Sequence, residues 1–76
     1  MKHLPNVSGD AAVRALTRSG WVCVRVTGTH HILKRGARSV TVPVHPGRSL
    51  QRGTVSVILK QAGMSADEFT DLLRGK

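Results

Sequence analysis

Two glycine-led turns, Gly28-Thr29 and Arg35-Gly36-Ala37-Arg38, divide the middle of this chain into three short runs and so decide its architecture. From Trp21 the side chains alternate with period two, Val22, Val24 and Val26 on one side and Trp21, Cys23, Arg25 and Thr27 on the other, which is the pattern of a strand. The three valines compete with Trp21 and Cys23 for the core face. The first turn leads into a second strand, His31 to Arg35, and the second into a third, Ser39 to Val44. Three short strands joined by tight turns make an antiparallel meander. Pro43 has no N–H to give a sheet, so the third strand is expected to end near it or to lie at an edge.

Helical patterns flank the meander. Ser8 is placed to cap a helix whose Ala12, Val13 and Leu16 form the apolar stripe, with Arg14 and Arg18 off it and Gly20 at its end. After a loop from His45 to Gly53, Thr54 is the expected cap of a second helix carrying Val55, Ile58, Leu59 and Ala62, which Gly63 closes. Ser65-Ala66-Asp67-Glu68 spells a capping box for a third, with Phe69, Leu72 and Leu73 as its apolar side. The order is αβββαα. Helices gathered on one face of a three-stranded antiparallel sheet give a two-layer α+β sandwich, its other face left to solvent or a partner.

The whole chain, 1–76, is expected as one domain, with a thin core for its size. Twelve Lys and Arg against four Asp and Glu give a net charge of +8, and no acid occurs between Ala11 and Ala66, which points to a polyanionic partner. A membrane is the weakest of the candidates, since no apolar run approaches the ~18 to 20 residues of a spanning helix. Met1-Lys2-His3-Leu4-Pro5-Asn6 meets Pro5 before any hydrophobic stretch develops, so no signal peptide is visible and the expected location is cytoplasmic. The single Cys23 has no internal disulfide partner and is expected to fill the core as a small apolar group.

Histidine is the side chain that exchanges a proton near neutrality, and His30 and His31 follow directly on the Gly28-Thr29 turn. His31 should face opposite to His30 across the strand and is a lesser candidate for an acid–base or RNA-contact role. His45 lies past Pro43 in a loop, where functional residues concentrate, as a candidate second acid–base group or RNA contact; His3 is expected to have no role. Arg25, Lys34, Arg35 and Arg38 are the candidate phosphate-binding cations of the hairpins, although a solvated basic surface is the plainer alternative. Divalent-metal nucleases hold their ion with carboxylates, and Asp10, Asp67, Glu68 and Asp71 lie near helix starts or in the last helix, so no metal or other cofactor is expected. With only Trp21 and Phe69 as aromatics, base stacking on the sheet is not expected either.

Five stretches taken together carry a family likeness: Leu4-Pro5 before the first helix, Gly20-Trp21, Gly28-Thr29-His30, Val40-Thr41-Val42-Pro43 with His45, and Gly53-Thr54 through Ile58-Leu59-Lys60-Gln61-Ala62-Gly63. In these the chain resembles HicA-type mRNA interferases, toxins of bacterial toxin–antitoxin pairs whose fold is similar to a double-stranded RNA-binding domain. The resemblance implies an endoribonuclease cleaving mRNA with His30 as catalytic residue, restrained by a HicB-type antitoxin. Thr29 stands where serine is more usual and keeps the hydroxyl. The second helix starts without the lysine cluster of double-stranded RNA-binding modules, so plain duplex binding is the lesser expectation. The alternatives are a non-catalytic RNA-binding module and a protein-interaction domain whose basic surface serves an acidic partner.

Overall fold

The computed structural model describes residues 6–75; His3 and the Leu4-Pro5 pair lie outside them. Helix α1 runs Gly9–Arg18 because Ser8 caps it, its hydroxyl accepting from the Ala11 N–H at 3.2 Å. It stops at Ser19, where Gly20 takes a φ of 91° and the Trp21 N–H reaches back to the Leu16 carbonyl at 3.2 Å. The buried stripe is Gly9, Ala12, Ala15 and Leu16. Val13 is only half-buried, because Ala15 and Leu16 follow Ala12 at helical spacing whereas Val13 is turned about 100° away from it.

Strands β1 (Val22–Thr27), β2 (His30–Arg35) and β3 (Arg38–Pro43) form the antiparallel sheet β1-β2-β3. Both turns hold two residues, and both take a positive φ at the first, 57° at Gly28 and 60° at Gly36. That is the glycine-first hairpin geometry, whose twist matches the strands. Pro43 is the last residue of an edge strand, where its missing N–H costs nothing.

Alternation fails in β1. Cys23 pairs with Leu33 and Arg25 with Ile32, so Val24 is an extra residue, a β-bulge. Beyond it the faces exchange: Val26 joins Cys23 on the helix side, and Arg25 and Thr27 join Val22 on the outer side. The competition between valines and Trp21 resolves in favour of Trp21, which is buried just ahead of the strand, while every residue of β1 is exposed. Cys23 is therefore not a core group. It is exposed, its Sγ donating to the Arg25 carbonyl at 3.6 Å across the bulge.

Helix α2 (Arg52–Ala62) packs on β3 and buries Val55, Ile58, Leu59 and Ala62. Its N-cap is Gln51, not Thr54, and no side chain caps it. The chain becomes helical early because Leu50, half-buried against the core, is pinned by its N–H to the Val7 carbonyl at 2.7 Å. Helix α3 (Ala66–Leu73) has both halves of its capping box, Glu68 N–H to Ser65 Oγ and Ser65 N–H to Glu68 Oε1, each 3.1 Å. It lies mainly against α1 and drives Phe69 into the core. Leu33, Val40 and Val42 meet Leu16, Trp21, Ile58 and Phe69 between the layers, each large side chain worth about 1.5 to 3 kcal/mol of burial. Among the described residues, no helix covers the opposite sheet face.

Candidate active site

The register of β2 sets the two neighbouring histidines on opposite sides. Leu33 faces the core, so His31 shares its side with Val26 and Val42 and is half-buried, whereas His30 lies exposed on the outer side between Thr27 and Pro43. His30 follows the turn directly, and the turn is tied down. The Thr29 carbonyl accepts from the Val44 N–H at 2.6 Å, which joins the hairpin tip to the end of β3 and brings the residue before His45 against it.

The start of α1 closes on the same point. A Cβ on Gly9 would lie 2.2 Å from the Pro43 carbonyl oxygen and 2.9 Å from Val44 Cα, so only glycine lets the helix approach this closely. Ser8 bridges Ser49, and Val7 accepts from Leu50, folding the 45–50 loop across the helix start. His45 is exposed and lines two open depressions. One, of about 310 Å³, runs from Pro43 past Arg48 to Gln51 and Thr54 at the start of α2; the other, about 450 Å³, includes Ser8, Asp10 and Pro46. Arg48 was not singled out from sequence, although it sits in the His45 loop; the missing Ser, Thr, Asp or Asn at position 51 was the further sign that this helix start is not closed by a side chain.

The four candidate cations separate into two groups. Arg25 and Lys34 lie on the outer face with His30, Arg25 beside Ile32 and Lys34 between Val22 and Ser39. Arg35 and Arg38 close the other hairpin, about 17 Å along β2 from His30 at strand rise. Both are turned toward helix ends. Arg35 donates to the Ser19 carbonyl at 3.0 Å and to its hydroxyl at 3.3 Å, and its guanidinium stands 5.3 Å from the Trp21 ring centroid. Arg38 donates to the Gln61 carbonyl at 3.5 Å, and Arg18 to that of Leu72 at 2.7 Å. Each of these arginines thus meets the carbonyl-rich end of a helix, where a cation is favoured.

Among the described residues no three His, Cys, Asp or Glu side chains gather as a metal site would need. Asp10 is paired with Arg14 one turn along α1. No helix among them is long and apolar enough to cross a membrane.

A family model for the HicA toxin of bacterial toxin–antitoxin pairs matches residues 9–64, which span α1, the sheet and α2. No curated protein sequence matches the chain.

Proposed function

The chain belongs to the HicA toxin family of bacterial toxin–antitoxin systems, and on that premise we propose that it is an endoribonuclease that cuts mRNA without a metal ion, using His30. The observation that carries this is the exposed His30 at a hairpin tip held by the Thr29–Val44 hydrogen bond, with the His45 loop drawn up beside it. Neutral His30 takes the proton of a ribose 2′-hydroxyl as its oxygen attacks the adjacent phosphorus. The bond from phosphorus to the 5′-oxygen breaks, and that oxygen leaves with a proton from a second acid, for which His45 is the candidate. The products are a 2′,3′-cyclic phosphate and a 5′-hydroxyl. Positive charge must meet the phosphoryl oxygens as the step proceeds; Arg25, on the outer face opposite Ile32, is the nearer cation to supply it, and Lys34, about 13 Å along β2 from His30 at strand rise, would hold a neighbouring phosphate. RNA would then track that face, held by phosphate contacts.

The test is turnover of a defined RNA in EDTA by the protein and its His30→Ala variant. Multiple cuts per molecule are expected from the first, and a loss of roughly 10²- to 10⁴-fold from the second, with unfolding temperature nearly unchanged because an exposed side chain carries little stability. Full cleavage by a soluble His30→Ala protein overturns the mechanism. Binding of RNA without any cleavage by the unaltered protein would favour a non-catalytic module instead.

A further inference from the structure

The two edges of this sheet are treated differently. β3 is covered: the Thr41 N–H is taken by Gln61 Oε1 of α2 at 3.3 Å, and the strand ends on Pro43. β1 has β2 on one side and, among the described residues, no strand on the other. Its valines are 60% (Val22), 54% (Val24) and 57% (Val26) exposed, although two-residue turns and β-branched residues make it a well-formed strand. An apolar edge of this kind would ordinarily be protected by lysine, proline or a covering element. β1 contains neither residue, and its devices are the Val24 bulge and one charged side chain, Arg25.

From this edge we infer that the antitoxin docks by adding an acidic strand along β1; the partner's identity, though not the surface, rests on the toxin reading above. Because a two-residue turn closes on a hydrogen-bonded pair, Thr27 bonds to His30, and the next residue, Val26, turns its N–H and C=O to the open side. Those groups are what an added strand pairs with. Charge selects the occupant. Arg25 lies on the outer face of β1 and Lys34 on that of β2, and a second copy would bring +8 against +8. A strand carrying carboxylates opposite Arg25 and apolar side chains opposite Val26 satisfies both faces at once. β1 runs into the Gly28-Thr29 turn, so such a strand would end level with that turn, about 10 Å from β2 in the sheet plane, with its outward side chains flanking the face that carries His30.

Amide hydrogen exchange on the free protein and on its complex with antitoxin tests this. The Val26 amide should be protected at least tenfold more in the complex. Protection confined to other segments, with Val26 unchanged, overturns the proposal. Val22→Thr with Val24→Thr keeps the β-branched shape, and should weaken antitoxin binding tenfold or more. His30→Ala should leave binding unchanged, so a failed nuclease mechanism and a failed docking surface give different results. Val26→Pro, tolerable on an open edge, should likewise abolish binding; equal affinity in both the Thr and Pro variants sinks the strand-addition model. Sedimentation of the isolated protein should give a monomer, and a dimer lost in the Val22→Thr, Val24→Thr protein would assign the edge to a second copy instead.

Discussion

Replacing Gly9 by alanine should cost stability and activity together. In most helices the exchange is favourable, by up to about 1 kcal/mol and less in the first turn. Here the added Cβ falls 2.2 Å from the Pro43 carbonyl oxygen and 2.9 Å from Val44 Cα, both backbone atoms that cannot swing aside. Either α1 or the end of β3 must retreat, and overpacking of that kind costs about 1 to 3 kcal/mol. The net loss of roughly 1 to 2 kcal/mol lowers the unfolding temperature by about 5 to 15 °C in a domain of this size. Gly53 is the control. It too lies in the first turn of a helix, but its Cβ would meet nothing within 4 Å, so Gly53→Ala should hold or raise the unfolding temperature. Thermal unfolding followed by circular dichroism reads both. Cleavage assayed at a temperature where all three proteins are folded should fall only in Gly9→Ala, because the displaced Val44 also holds the Thr29 carbonyl. A Gly9→Ala protein as stable and active as the parent would refute the close-packed helix start.

The two cation groups should separate in experiment. Arg35→Ala should lower stability by about 1 kcal/mol through loss of the Trp21 contact and the Ser19 hydrogen bonds, with little effect on RNA affinity; denaturant unfolding and RNA titration measure the pair. Arg25→Glu with Lys34→Glu should do the reverse, weakening RNA binding and flattening the slope of log affinity against log salt. An unchanged slope would move the RNA off the outer face. Gly63→Ala should cost about 1 kcal/mol, since Gly63 closes α2 at a φ of 67° and an added Cβ would displace Arg38; a thermal midpoint equal to the parent's would refute the cap.

What was legible in the sequence was local. Gly28 and Gly36 announce their turns by themselves, Ser8 and the Ser65–Glu68 pair their helix starts, and Val55, Ile58, Leu59 and Ala62 their buried stripe. The bulge at Val24 was not legible, because an extra residue exists only relative to the strand it fails to pair with. It exchanges the faces of Arg25 and Val26 beyond it, whereas Cys23, ahead of it, lies on the helix side and is exposed all the same. The early start of α2 is likewise decided by a remote partner, Val7, and not by Thr54. Arg35 and Arg38 count as hairpin cations in sequence; only the packing of helix ends reveals that their guanidinium groups serve Ser19 and Gln61. His30 as a candidate came from the family resemblance, since a histidine after a turn is otherwise an ordinary exposed residue, and the approach of the His45 loop to its hairpin needed the Thr29–Val44 bond to be seen.

A growing chain that has reached the end of β3 can already close both hairpins, since each needs only neighbours across a two-residue turn. It cannot yet hold His45 in place. That waits for Leu50 to return to Val7 and for α2 to cover β3, contacts between segments made far apart in time. On the proposed mechanism the hairpin that carries His30 thus precedes the segments that fasten the His45 loop beside it, and cleavage waits for Leu50 and α2.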